Sequence, residues 1–209
     1  MMSGLEAKPA RAIKRVLFLG FDRSRTRLID ALIAKGCAVA HTEAPIDGSG
    51  NHDLLVSFGY RHVLRKEVIE KAGCPILNLH IAYLPYNRGA HPNFWSFYEN
   101  TPSGVTIHLM DEGIDTGPIV YQRYVNFDGN EKTFADTYKR LVVEIEALFI
   151  ENIEKILHAR WKAKEQRGSG TMHYLHDLPP DFSGWNAVIE DELVRLDRYF
   201  DRCSNVPKP

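Results

Sequence analysis

Short apolar runs alternate with helix-periodic segments through the first half of the chain, and this alternation restricts the fold more than any other feature. Val16-Leu17-Phe18-Leu19 lies in a run from Arg15 to Phe21 that reads as a first strand. Arg25 to Lys35 reads as a helix capped by Ser24 or Asp22 and stopped by Gly36, and Cys37 to Thr42 as a second strand. After a turn-rich loop from Ala44 to His52 come a strand over Asp53 to Phe58, a short helix over Lys66 to Lys71, and a buried strand over Pro75 to Leu79 inside the apolar run Cys74 to His80. Such alternation specifies an α/β fold: a Rossmann-like, doubly wound, mostly parallel sheet with helices on both faces. The first turn, Gly20-Phe21-Asp22-Arg23-Ser24, lacks the G-x-G-x-x-G fingerprint, so a dinucleotide has no support.

Farther along, Pro92 to Asn100 reads as a helix with Pro in its first turn. Gly104 to Met110 and Ile119 to Phe127 read as strands separated by a loop holding Asp115. Thr133 with Asp136 three residues on resembles a capping box, and Phe134, Tyr138, Leu141, Ile145, Leu148, Ile153 and Ile156 then recur at helical spacing, predicting one long helix. Gln166 to Thr171 is a Gly-rich break, and Trp185 to Cys203 a last amphipathic helix. The expected organisation is a flexible tail (1–14), a main domain (15–160) and a small C-terminal helical extension (161–209).

At 209 residues and 44% hydrophobic composition the chain has room for one full α/β domain and a modest extension. A net charge of −1 leaves no cationic excess to neutralise a phosphate backbone, so nucleic acid is not an expected partner. Lys8, Arg11, Lys14 and Arg15 precede an apolar run of only Val16 to Leu19, too short for a signal peptide, and no stretch approaches the ~18 apolar residues of a membrane helix. A soluble, cytoplasmic protein without membrane insertion is expected. Cys37, Cys74 and Cys203 form no C-x-x-C pair and read as incidental thiols. His173 and His176 lack accompanying carboxylates or thiols at ligand spacing, so they read as turn residues and no metal is expected.

Chemistry concentrates where the strand Cys74 to His80 ends. Asn78 and His80, at i and i+2, share a strand face, and ligands of open α/β sheets bind beyond the carboxyl ends of the strands. Tyr83-Leu84-Pro85-Tyr86-Asn87-Arg88-Gly89 follows, and then Gly113-Ile114-Asp115-Thr116-Gly117. Asp115 in a Gly-rich turn can also bond its own backbone, a purely local role.

The order and spacing of these pieces, from about Arg15 to about Phe127, resembles the folate-dependent formyltransferases, with their N-x-H, x-L-P-x-x-x-G and apolar-D-x-G motifs; the catalytic domain is like that of the methionyl-tRNA and glycinamide ribonucleotide formyltransferases. Pro85 to Trp95 is most similar to the branch that formylates nucleotide-linked amino sugars. The resemblance implies 10-formyltetrahydrofolate as co-substrate and, as acceptor, a nucleotide-linked 4-amino-4,6-dideoxy sugar, GDP-perosamine or a dTDP-amino sugar, on the way to a surface polysaccharide. It also places the end of the chain where longer members begin a second domain. It makes Asn78, His80 and Asp115 catalytic: Asn78 a neutral donor to the developing oxyanion, His80 a proton acceptor or, protonated, an oxyanion donor, and Asp115 a group that either orients His80 or orders a water. Folate recognition falls to Tyr60, Arg61, His62, Val63 and Leu64, largely through main-chain groups, with Asp111 and Gly113; Arg61 and His62 could equally be solvated turn residues. The sugar nucleotide falls to Tyr83, Tyr86, Asn87, Arg88, Asn93 and Trp95, although Trp95 could as well be core. A hydrolase sending the same formyl group to water, and a folate- or sugar-nucleotide-binding module without turnover, are the rival readings.

Trp185, Ile189, Leu193, Leu196 and Phe200 form an apolar stripe that must bury against something. It folds back on its own domain or joins two chains, and a homodimer through the region after about Gly168 is expected.

Overall fold

The computed structural model describes residues 13–48 and 50–204, with side chains through 197. The expected tail therefore lies outside the described residues up to position 12, as do the side chains of Phe200 and Cys203. In chain order the elements are β1 (Arg15–Gly20), α1 (Leu28–Ala34), β2 (Ala38–Thr42), β3 (Leu54–Phe58), α2 (Lys66–Ala72), β4 (Ile76–His80), β5 (Arg88–Gly89), α3 (Pro92–Tyr98), β6 (Gly104–Leu109), β7 (Ile119–Tyr124), α4 (Phe134–Leu157), β8 (Met172–His173) and α5 (Ile189–Ser204). Six strands form one sheet in the order β2-β1-β3-β4-β6-β7, parallel from β2 to β4 and antiparallel across β4, β6 and β7.

Period-2 alternation within β1 sorts its side chains to two layers. Val16 and Phe18 pack with Leu28 and Leu32 of α1 and with Leu141, Ile145 and Phe149 of α4. Leu17 and Leu19 face the opposite way, toward Leu55, Leu64, Ala72 and Ile76, with Val68 and Ile69 of α2 alongside. Helices thus cover both faces, as the alternation predicts, and each fully buried Leu or Phe contributes roughly 1.5–3 kcal/mol.

Two helix boundaries depart from expectation for physical reasons. The helix expected from Arg25 begins at Leu28, because the Asp22 carboxylate accepts bonds from Ser24 N (2.9 Å) and Ser24 Oγ (2.6 Å), a local turn that competes with the helix. Thr26 Oγ1 then donates to the buried Glu146 of α4 at 2.6 Å, and Arg27 N and Nε reach the same carboxylate at 3.2 and 3.0 Å, so a distant helix supplies the missing cap. The long helix does open on a capping box: Thr133 Oγ1 accepts from Asp136 N at 3.1 Å, and Asp136 Oδ2 accepts from Thr133 N at 3.2 Å. The last helix starts at Ile189 rather than Trp185, whose carbonyl is instead taken by Ala135 N at 2.7 Å.

Ile189, Leu193 and Leu196 of the apolar stripe find cover within the chain. Ile189 and Leu196 are buried against Phe94, Trp95 and Phe134, with Leu178, Phe182 and Leu193 completing the cluster. For Ile189, Leu193 and Leu196 this is the fold-back alternative, while Trp185 of the same stripe is exposed. His173, expected in a turn, lies in β8, where it pairs with Gly89 and stacks on Trp95 at 3.8 Å with 9° between the rings. Among the described residues no helix is long and apolar enough to cross a membrane.

Candidate active site

Register brings the polar groups together. Asn78 and His80 lie on one face of β4, and the antiparallel partner opposite Asn78 on β6 is His108. Asp115 enters from the loop between β6 and β7. Its Oδ1 accepts from Asn78 Nδ2 at 2.9 Å and stands 3.3 Å from His108 Nε2; its Oδ2 accepts from Gly89 N at 2.9 Å and stands 3.5 Å from His80 Nδ1. Both carboxylate oxygens are occupied by protein groups. Burial pushes this carboxyl up, but the charge of His80, the hydrogen bond and charge of His108 and the Gly89 N–H outweigh it, holding Asp115 well below the usual carboxylate range.

His80 Nε2 lies 2.9 Å from the Asn87 carbonyl. Both ring nitrogens of His80 therefore face oxygens that only accept. An imidazolium donates to both, whereas a neutral ring turns one lone pair toward an oxygen. On His108, Nδ1 lies 2.8 Å from the Leu109 carbonyl, while Nε2 lies 3.2 Å from Asn78 Nδ2 and 3.3 Å from Asp115 Oδ1; protonated it donates to the carboxylate, and bare it accepts the second hydrogen of Asn78. Asp115 thus holds one amide hydrogen of Asn78 in either state and a bare His108 holds the other, and donating to a substrate oxygen then means exchanging one of those bonds.

The structure brings Asn78 and His80 each into contact with Asp115 and distributes the other expected residues unevenly. Tyr60, Arg61 and His62 line a pocket of about 290 Å³ with Gly20, Arg25, Glu43 and Gly59. Val63 is exposed and Leu64 is core. Asp111 closes its own loop, its Oδ1 accepting from Gly113 N at 3.1 Å and Thr116 Oγ1 at 2.6 Å. Asn87 is fully buried, its amide bonded to Thr101 Oγ1 and Thr171 Oγ1. Arg88 is bonded to Gln166 and the Ser169 carbonyl, Trp95 is core against His173, and Tyr83 packs edge-on to Tyr124 at 5.8 Å. Tyr86 is half-buried, its N–H donating to the Tyr83 carbonyl at 3.2 Å.

Asn93 is different. With Arg61, Ile81, His91, Phe134, Tyr138, Lys139 and Trp185 it lines the pocket of about 610 Å³ beside the end of β4. Its Nδ2 donates to the Phe134 carbonyl at 2.8 Å while its buried Oδ1 accepts from no protein group. A buried acceptor without a donor is costly unless a ligand supplies one. Lys139 and Trp185 were not expected here from sequence; both lie beyond the motif-bearing region, and only the fold brings them to Asn93. His108 leaves a visible signal, an ionisable residue inside the largely apolar strand that begins at Gly104. Among the described residues no cluster of three or more His, Cys, Asp or Glu could hold a metal ion.

Residues 48–153, just over half of the chain, match the family model described as Formyl transferase. The chain belongs to the formyl transferase family. Methionyl-tRNA formyltransferase of Thermodesulfovibrio yellowstonii is 36% identical over 141 residues, 65% of this chain and 44% of that protein. The dTDP-4-amino-4,6-dideoxyglucose formyltransferase of Mycobacterium bovis is 30% identical over 142 residues, 68% of this chain and 58% of that protein. The chain thus spans about half the length of these relatives. Among solved structures, the formyltransferase PseJ of Anoxybacillus kamchatkensis, in complex with UDP-4,6-dideoxy-4-formamido-L-AltNAc and tetrahydrofolate, superposes with a TM-score of 0.78 at 36% identity, covering 84% of this chain and 96% of that one.

Proposed function

We propose that the chain moves a formyl group from 10-formyltetrahydrofolate to the 4-amino group of a nucleotide-linked 4-amino-4,6-dideoxy sugar, a product suited to a surface polysaccharide. The observation that carries this reading is the contact of Asn78 and His80 with Asp115 at the carboxyl end of β4, beside a pocket with cations, an aromatic ring and one unpaired acceptor. Lys139, Arg61 and His91 suit a pyrophosphate, Trp185 a base or sugar face, and Asn93 Oδ1 a hydroxyl or N–H of the acceptor. The nucleotide-sugar and folate ligands of PseJ, and the amino-sugar substrate named for the Mycobacterium bovis relative, support the same pairing of substrates. The donor's ring system would sit by Tyr60 to Leu64 and the loop of Asp111 and Gly113; Arg61 lines both pockets.

Attack of a neutral amine on the formyl carbon puts negative charge on the formyl oxygen and leaves a proton on nitrogen to be removed. Asn78 donates to that oxygen by exchanging one of its bonds to Asp115 or His108, so its contribution is the surplus of the bond to the developing charge over the bond given up. His80 either takes the nitrogen's proton or, protonated, donates to the oxygen, and Asp115, ionised and in contact with His80, balances the imidazolium; collapse of the intermediate then breaks the bond from the formyl carbon to N10 of the folate, which takes up a proton and leaves as tetrahydrofolate.

The test is incubation with 10-formyltetrahydrofolate and UDP-, dTDP- and GDP-linked 4-amino sugars, with formamide and formate read separately. Formylation of one of these sugars is the expected result. Formate released at the same rate with or without any sugar would make the protein a hydrolase, and binding without turnover would make it a binding module.

A further inference from the structure

We propose that Gln166 is the positioning residue that sets Asp115 against His80, so that the segment after the family's matched region is part of the catalytic apparatus. The kinetic arm of this inference rests on the formyl-transfer reading; the geometric arm does not.

The strap from Lys164 to His173 crosses both loops that feed the cluster. At one end Lys164 and Ile119 exchange main-chain bonds of 2.9 and 2.7 Å, fixing the strap beside the start of β7. At the other, Thr171 O accepts from Arg88 N at 3.0 Å, Thr171 Oγ1 from Asn87 N at 2.9 Å, and His173 O from Ala90 N at 2.8 Å. Gln166 stands between these anchors. Its Nε2 donates to the carbonyls of Asp115 and Gly117, both at 2.8 Å, and its Oε1 accepts from Arg88 Nη2 and Nε at 2.7 and 3.1 Å. These four bonds reach the two loops and none reaches the strap itself.

A closed circuit results. Gln166 joins the Asp115 main chain to Arg88, and the neighbouring Gly89 N–H joins back to the Asp115 carboxylate. The length of one glutamine side chain therefore sets the separation of the loops, and with it the approach of Asp115 Oδ2 to His80 Nδ1. Asp115 needs such a clamp, because its backbone is in the left-handed region at φ +52°, which a residue with a Cβ disfavours. The two carbonyls that Gln166 holds belong to the reversed residue itself and to Gly117, two residues on. A positively charged Arg88 free to meet a pyrophosphate would look different: here its guanidinium is drawn into the circuit.

Two variants of this half-buried residue, Gln166→Met and Gln166→Glu, test the assignment beside Asp115→Asn. Methionine keeps the length without hydrogen bonds; glutamate keeps the acceptor for Arg88 and loses both donors to the carbonyls. Melting curves report on folding, and ¹⁵N spectra of the imidazole nitrogens report on His80 without any substrate. Both Gln166 variants should shift the His80 nitrogen resonances in the direction of Asp115→Asn, and lower kcat about 10-fold or more, with KM for either substrate within about twofold. Wild-type His80 resonances in Gln166→Met would overturn the proposal, as would full rescue by Gln166→Glu, since the Arg88 contact would then suffice. If the wild-type protein transfers no formyl group, the proposed reaction fails and the spectra alone decide the role of Gln166.

Discussion

His108 Nε2 stands 3.3 Å from Asp115 Oδ1, while His80 faces the other oxygen of the same carboxylate. One buried acid thus serves two imidazoles, and only His80 also reaches the loop after β4, through the Asn87 carbonyl. The two should differ in effect. Replacing His80 with Asn should lower kcat by about 10²–10⁴, the range of a lost proton-transfer group. His108→Gln, which can still bond Asn78 or Asp115, should cost distinctly less. Steady-state kinetics on the two variants check this ordering, and equal losses would contradict it.

Asp115 gives a pH prediction with a definite sign. Its folded value lies below the ordinary 3.8, so the stability it contributes is fully present above that value and is lost as pH falls through the lower folded one. The difference in unfolding free energy between wild type and Asp115→Asn should be flat above about pH 5 and shrink progressively below it. Urea titrations across the acid range measure it. A difference that grows on acidification would show that the carboxyl is protonated in the native state.

Lys139 is exposed at the rim of the larger pocket. Lys139→Ala should raise KM for the sugar nucleotide, more strongly at low salt than at high, and leave KM for the folate unchanged. Its effect on stability should stay within about 0.5 kcal/mol. Kinetics at two ionic strengths separate this from a folding defect.

Leu196 is fully buried in the cluster that seats α5 on α3 and the start of α4. Leu196→Ala should cost about 2–5 kcal/mol by urea unfolding, since the cavity adds to the lost burial. A near-zero cost would mean that α5 is seated loosely.

Local chemistry made much of this legible in the sequence. The alternation of β1 and β3, the capping box at Thr133 and the i, i+2 pairing of Asn78 with His80 all depend on neighbours a few residues away, and the structure shows each of them. The rest depends on distant partners. The start of α1 is decided by Glu146, more than a hundred residues on, and the antiparallel register that sets His108 opposite Asn78 cannot be deduced from either strand alone. The resemblance gives Arg88 and Asn87 to the sugar nucleotide, and in the structure Gln166 accepts from Arg88 while Thr101 and Thr171 engage the Asn87 amide, partners that lie far along the chain or beyond the motif. Trp95 went the same way, toward His173.

The left-handed backbone at Asp115 has a consequence for how this protein could change under selection. Glycine would relax the turn and asparagine would tolerate it almost as well, but both give up the ionised carboxylate that His80, His108 and the Gly89 N–H stabilise. A library screened only for heat resistance would therefore set the relief of the turn against the lost carboxylate, so aspartate at position 115 would be held by sturdiness as well as by turnover.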